Sequence, residues 1–258
     1  MLILKNYLLR AYRDKTTIIM MLIFPCVLIA IMTFVANSNA EGTYHIIEGY
    51  NRFATSNLLM NVLLFQFLSG LYLTDFMYAD FRSDMRWRLL AAPASLGKYV
   101  FNACIANVII ALVNSAVILV FGYFVLDAHL SNFIMVAAPL FTFALFLTLL
   151  GMLLFMLIPK KSTTTALFFA LAFGQILPFQ FGLLTITGGT LGFGNFLPIV
   201  AALNAIEYAS NIRFGFADGS FYTASADMRG ALIHLGILAG YTLIAALAVI
   251  IVGRKKPI

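Results

Sequence analysis

Few residues in this chain could do chemistry, and their spacing argues against most of it. The three histidines, His45, His129 and His234, lie far apart in sequence. None has the i, i+4 spacing that presents two imidazoles to one metal ion from a helix. No Gly-x-Ser-x-Gly turn exposes a serine nucleophile, and no pair of carboxylates falls within an apolar run. Gly188, Gly189, Gly192 and Gly194 form a glycine-rich stretch, but no Lys-Ser/Thr follows it. Lys161-Ser162 lacks the preceding glycines of a phosphate-binding loop. Cys26 and Cys104 both sit in apolar runs, where a thiol behaves as a small hydrophobe, and suggest neither a disulfide nor a metal site. The expectation is a chain that is not an enzyme, carries no cofactor or metal of its own, and leaves any ATP to another chain.

What remains is polarity inside apolar segments. Asp75 is the one acid within such a segment, placed toward its basic end. A helix-end carboxylate near Arg82 or Lys98 is the favoured reading, because ion-coupled carriers place titrating groups at mid-membrane. Neutral polar residues form stripes. Gln66, Gly70 and Thr74 recur at i, i+4, i+8; Ala103, Asn107, Ala111 and Asn114 or Ser115 make a second row. Small and polar stripes let helices approach closely and hydrogen-bond. The same residues could line a translocation path at a dimer interface. Gln175 and Gln180, flanking Pro178, admit both readings, and a proline in a helix adds a candidate moving joint.

The elements that position these residues follow from composition. Apolar residues are 62% of the 258, charged residues 10%, and mean hydropathy is +0.99. Soluble domains run at about 45–50% apolar and 25% charged, so lipid must solvate much of this surface. The long unbroken apolar runs exclude barrel strands, which alternate, and leave helices as the spanning element. Six spans are predicted: Ile18–Ala36, Ser56–Tyr78, Tyr99–Leu126, Phe133–Ile158, Thr163–Ile186 and Gly230–Val252. Each reaches the roughly 20 residues that cross a ~30 Å core.

Thirteen of the 16 Lys and Arg fall on one side of this pattern. They are Lys5, Arg10, Arg13, Lys15, Arg82, Arg86, Arg88, Lys98, Lys160, Lys161, Arg254, Lys255 and Lys256. Only Arg52, Arg213 and Arg229 fall on the other. The positive-inside rule then puts both termini in the cytoplasm. The net charge of +6 thus reflects topology and contact with anionic lipid, not nucleic-acid binding.

Residues 1–17 read as an amphipathic interfacial helix, with Ile3, Leu4, Tyr7, Leu8, Ala11 and Tyr12 on one face and Asn6, Arg10 and Arg13 on the other. The apolar run that follows is too long for a signal-peptide core of about 7–15 residues. Residues 79–98 form a basic inside loop. Residues 187–229 form a long outside segment, in which Phe193–Ile212 reads as a semi-apolar helix, with Pro198 within it, dipping into the outer leaflet.

This order of features resembles the ABC-2 type ABC-transporter permeases over essentially the whole chain. The sharpest part is Asp80-Phe-Arg-Ser-Asp-Met-Arg-Trp-Arg-Leu-Leu-Ala-Ala-Pro93. In that family an acidic residue, Gly-Thr and then Leu-Leu-x-x-Pro mark a coupling helix; Asp80, Leu89, Leu90 and Pro93 match, while Asp84 and Met85 stand where Gly-Thr is usual. A second part is Leu197-Pro198, Leu203-Asn204 and Arg213, with Ala205 where a proline is common. The resemblance implies an all-α membrane protein forming a single transmembrane domain over 1–258. It has six spans, an N-terminal elbow helix and a re-entrant segment carrying Pro198, Asn204, Glu207 and Arg213.

The resemblance also implies partners. Two copies, or one copy and a sister permease, would pair with two cytoplasmic ATPase subunits that bind ATP and Mg. Asp80, Arg82, Asp84, Arg86, Trp87, Leu89, Leu90 and Pro93 would form the docking element. Its arginines (Arg88 included) would meet a polar partner surface, and Trp87, Leu89 and Leu90 apolar ground. Those arginines equally serve topology. Gln66, Thr74, Asn107, Asn114, Gln175 and Gln180 are the candidate path residues. The expected function is alternating-access export of an amphipathic or hydrophobic cargo (antimicrobial peptide, toxin peptide or drug) across a bacterial plasma membrane. A permease for lipid-linked polysaccharide is the alternative within the class, and a non-transporting scaffold or sensor subunit the alternative outside it.

Overall fold

The computed structural model describes residues 2–39, 46–47, 50–83, 86–87, 95–128, 133–180, 196–210, 212–214, 221–223 and 227–255. Helix α1 (Leu2–Arg13) ends where Asp14 turns the chain out of helical conformation, at φ −80° and ψ 94°. Asp14 then caps the next helix. Its carboxylate accepts from the Thr16 and Thr17 amides at 3.1 and 3.4 Å and from the Thr17 hydroxyl at 2.6 Å, satisfying donors a helix start leaves open. From there α2 (Lys15–Ile18), a π-helical turn (Ile19–Ile23) and α3 (Phe24–Asn39) run on as one rod.

The long helices are α4 (Arg52–Phe81), α5 (Leu96–Val125), α6 (Phe133–Leu157), α7 (Lys161–Gln180) and α9 (Met228–Lys255), with the shorter α8 (Pro198–Ser210) before the last. Ser95 caps α5 by accepting from the Lys98 amide. At the far end of α5, Asp127 takes φ 53°, a left-handed conformation that aspartate tolerates better than most residues. The Leu126 and Ala128 amides fold back there onto the Gly122 carbonyl, each at 3.1 Å.

Five stretches among the described residues are long and apolar enough to cross a bilayer: Lys15–Val35, Asn57–Phe81, Leu96–Val125, Met135–Leu157 and Met228–Lys255. The sixth expected span, Thr163–Ile186, is described as helix to Gln180, through Pro178; residues 181–186 lie outside the described residues. The protein is an all-α membrane protein whose only described strands are two short hairpins, β1 (Ile46–Ile47) with β2 (Tyr50–Asn51) and β3 (Ile212–Phe214) with β4 (Phe221–Thr223).

Helix α4 is the hub: 61% of its spanning window is buried inside the bundle, against 11% for α9 and 22% for the first span. Leu58, Leu59, Val62 and Leu63 of α4 meet Ile118 of α5, Phe143 and Leu147 of α6, Ile206 of α8 and Leu238 of α9. A second core at the basic end joins Tyr7 of α1, Leu73, Phe76 and Met77 of α4, Ala103 of α5 and Phe155 of α6. The outward faces stay apolar, with Phe34, Phe124 and Leu243 exposed, which suits lipid as solvent.

Two expectations change. The semi-apolar helix predicted over Phe193–Ile212 is described as Pro198–Ser210, with Pro198 at its first position and not within it. Proline is suited to that position because a first-turn N–H has no intrahelical acceptor. The helix rises about 20 Å, short of a crossing of about 30 Å, and Ile212 has already passed into β3. On α1, Tyr7 and Ala11 are buried as expected, but Tyr12 is exposed and Arg10 turns inward.

Candidate functional site

At the basic end, Asp80 lies one residue before the end of α4 with its side chain only 3% exposed. Arg10 Nη1 donates to Asp80 Oδ1 at 2.8 Å, and the Tyr99 hydroxyl donates to Oδ2. One carboxylate thus ties α1, α4 and α5 together. Apolar rings close the latch: Tyr7 stacks on Phe76 with centroids 3.6 Å apart, and the Arg10 guanidinium lies 3.9 Å from the Phe76 centroid on the ring face. Partial burial alone would lower the Arg10 pKa, but the hydrogen bond and charge of Asp80 outweigh it and raise it. Burial, followed by the nearby Tyr99 and Asp80, pushes the Tyr7 hydroxyl well above its ordinary range, so it stays neutral.

The same end of α4 also grips the turn between α6 and α7. Arg82 Nη1 donates to the Pro159 carbonyl at 2.7 Å and Nη2 to the Phe155 carbonyl at 3.3 Å, occupying acceptors that the end of α6 leaves free. The Tyr78 hydroxyl donates to the Ile158 carbonyl at 2.6 Å and shares a hydrogen bond with Thr164 Oγ1 at 2.7 Å. Asp75 pairs with Lys161 at 3.2 Å. Its expected neighbours were Arg82 or Lys98; the fold instead brings the start of α7 beside α4, and Arg82 is held by carbonyls.

Beyond Ser83 the described side chains of the loop are exposed. Arg86 and Trp87 form a helical turn and both are exposed, Trp87 by 74%. Neither side chain meets another described residue in a hydrogen bond, ion pair or ring contact. Asp84, Leu89, Leu90 and Pro93 of the expected docking element lie outside the described residues.

The candidate path residues do not converge on one line. Gln66 Nε2 donates to Ser115 Oγ at 2.8 Å and to the Leu140 carbonyl at 3.3 Å. With Ser69, Asn114, Ser115 and Met21 it borders a cavity of about 10 Å³, the limit for a single water. Asn114 Nδ2 reaches the sulfur of Met21, in the π-helical turn, at 3.4 Å. Asn107 donates to Thr148 Oγ1 at 2.9 Å. Thr74 lies beside a close crossing of α4 and α6: a Cβ on Gly151 would fall 2.7 Å from the Gly70 carbonyl, and one on Gly70 2.9 Å from the Leu147 carbonyl. Gln66 and Asn107 are therefore buried and bonded between helices of the same chain, Thr74 is buried and donates within α4 to the Leu71 carbonyl at 2.7 Å, and Asn114 and Gln175 are half-buried.

Gln175 links α7 to α8. Its Oε1 accepts from the Ile199 amide at 3.2 Å, one of the open donors of the α8 start, while Nε2 donates to the Leu171 carbonyl at 3.0 Å. The Gln180 side chain lies outside the described residues. Along α8, Pro198, Asn204 and Glu207 are buried, and the following Tyr208 stacks on His234 of α9 at 5.3 Å. Arg213 stands opposite Tyr222 in the β3–β4 hairpin.

Sequence reasoning singled out Asp80 but missed its partners. The signal for Arg10 was present: it is three residues from Tyr7, within about 60° on a helical wheel, and so belongs to the edge of the buried face. Tyr99 carried no signal beyond its place at the start of a span.

The family model described as the ABC-2 type transporter matches residues 1–181, which is more than two thirds of the chain. No curated protein matches it.

Proposed function

The chain belongs to the ABC-2 type transporter family, and from that premise we propose that it is the membrane half of an exporter for an amphipathic or hydrophobic molecule. Family membership makes it a multi-pass membrane permease that works with an ATPase partner. In our reading the ATPase is a separate cytoplasmic subunit present in two copies, which binds ATP and Mg, while this chain does no covalent chemistry. A second copy or a sister permease completes the membrane part, both termini face the cytoplasm, and the membrane is a bacterial plasma membrane. Cargo such as an antimicrobial peptide, a toxin peptide or a drug passes by alternating access.

The observation that carries this reading is the exposed Arg86–Trp87 turn beside the buried Asp80 latch. The lone tryptophan of the chain stands in solvent next to a cation, at the end where α4 grips both α1 and the α6–α7 turn. Aromatic and arginine side chains are the residues that most often anchor protein interfaces. A push there reaches α1, α5, α6 and α7 through hydrogen bonds already in place.

Affinity purification of the tagged full chain with its ATPase tests the docking. Arg86→Glu and Trp87→Ala should lower ATPase recovery about tenfold, as loss of about 1.4 kcal/mol does, with unchanged thermal stability of the isolated chain. Arg82→Glu should instead reduce stability as well, because it strips two carbonyls of their donor. Full ATPase recovery with both outer-turn variants would sink the docking element. For the cargo, vesicles holding the complex should sequester a fluorescent amphipathic peptide only with ATP. ATP hydrolysis that ignores such peptides and responds to lipid-linked sugars would move the reading to polysaccharide. Hydrolysis that needs this chain but moves nothing would make it a scaffold.

A further inference from the structure

We propose that the groove between α5, α6 and α9 at the basic end is a site for an anionic phospholipid, one acyl chain lying in the groove and the headgroup phosphate against Lys98 and Arg254. The cavity measures about 800 Å³, within the range of sites that enclose small ligands. Its walls are apolar: Val100, Cys104 and Val108 of α5, Leu145 and Met152 of α6 and Val249 of α9. The one hydroxyl there, Thr148, already accepts from Asn107 and donates to the Ala144 carbonyl. Nothing in the walls would hold a polar cargo.

The shape suits a chain and not a compact molecule. On α5 the lining begins at Leu96 and ends at Leu112, about 24 Å along the axis at 1.5 Å per residue. That is enough to run from one boundary of a ~30 Å hydrocarbon core past its middle. The mouth is open at Gly97, where a Cβ would find no atom within 4 Å.

The mouth is also where the charge lies. Lys98 follows Gly97 and, at 100° per residue, falls on the wheel between Ile105 and Ile109, both of which line the groove. Arg254 follows Gly253, the last lining residue on α9; it starts about 100° round the helix from that residue, so it is the long guanidinium arm that brings its charge to the mouth. Both side chains are exposed, and neither pairs with a carboxylate among the described residues. Basic pockets between membrane helices on the cytoplasmic side select anionic headgroups. The outer face of α3 is also apolar and exposed. Only the choice of leaflet rests on the orientation proposed above.

The test uses the full chain in nanodiscs containing trace phosphatidylglycerol or phosphatidylcholine with a photoactivatable diazirine on one acyl chain, the crosslinks mapped by mass spectrometry. Phosphatidylglycerol should label the α5 and α6 walls about thirtyfold more than phosphatidylcholine, as two cations near the surface predict. Unlabelled phosphatidylglycerol should compete and phosphatidylcholine should not. Gly97→Phe, which places its ring in open space, should abolish the wall crosslinks. The double variant Lys98→Gln, Arg254→Gln leaves the walls intact and should erase the headgroup preference while crosslinks persist. Even labelling of the walls and of the α3 face by both lipids, as annular lipid gives, would overturn the site. So would wall labelling unchanged by a folded Gly97→Phe.

Discussion

Removing Arg10 should cost this protein more than removing the charge it pairs with. In Arg10→Gln the Asp80 carboxylate, 3% exposed, keeps only the Tyr99 hydroxyl. Breaking a buried ion pair from one side costs about 3–5 kcal/mol when the survivor cannot reach water. The substitution also loses the contact with the Phe76 ring, about 0.5–1 kcal/mol at a partly exposed site. Because the Arg10 side chain is 48% exposed, solvent screening discounts the pair, and about 3 kcal/mol in total is expected. Asp80→Asn leaves a half-exposed guanidinium that can turn to water or lipid phosphate, so about 1–2 kcal/mol is expected.

The double variant should cost about as much as Arg10→Gln alone, a coupling of about 1–2 kcal/mol. Steric-trapping measurement of unfolding free energy in bicelles reads all three values. Trypsin cleavage at Arg13 and Lys15 should quicken in parallel as α1 undocks. Asp80 holds the Arg10 pKa above its unfolded value, so the arginine's contribution is complete below that value. It fades only as pH rises through the folded pKa, and from the arginine side the cost should be flat between about pH 6 and 9. A cost for Arg10→Gln within about 0.5 kcal/mol, the scatter of ordinary surface changes, with an additive double variant, would show that the latch holds nothing.

Gly151→Ala should destabilise by about 1–3 kcal/mol, since its Cβ would meet the Gly70 carbonyl at 2.7 Å and a backbone atom cannot step aside; the same unfolding assay reads it, and a neutral result would mean α4 and α6 slide apart freely. Asp14→Ala should cost about 1 kcal/mol and raise deuterium exchange at the Thr16 and Thr17 amides about fivefold. Hydrogen bonding by Thr17, set against a smaller cost of burial, lowers the Asp14 pKa. The cap's contribution is therefore present above the usual carboxylate range and disappears as pH falls through the lowered value. Wild type and variant should exchange alike at low pH.

Five of the spans were legible because each is a long apolar run whose ends are marked by polar residues, and α1 because Tyr7 and Ala11 recur on one face. Pairings between helices were not. The partner of Asp80 lies 70 residues away, and that of Asp75 is Lys161. Sequence offered nearer cations for Asp75, and only the packing of α7 on α4 decides between them. The hairpins escaped because strands of two or three residues are too short to show alternation. Within the polar stripes, Gln66 meets Ser115 and Asn107 meets Thr148 only because α4, α5 and α6 cross where they do.

The burial of Asp80 separates two roles that the sequence motif runs together. A carboxylate with 3% exposure, engaged by Arg10 and Tyr99, has no surface to offer a partner protein. In the coupling role proposed above, its effect passes through what it holds. Among the described residues of the loop after α4, Arg86 and Trp87 are exposed and able to touch a partner. An acidic residue in this place therefore acts as a positioning residue. It fixes α1 and α5 to the end of α4, so that a displacement of the outer turn moves three helices together and does not bend one. Arg82, bonded to the Pro159 and Phe155 carbonyls, extends the same block to α6. Weakening the latch should then leave ATPase binding intact while uncoupling hydrolysis from transport, whereas changes at Arg86 and Trp87 should lose binding itself.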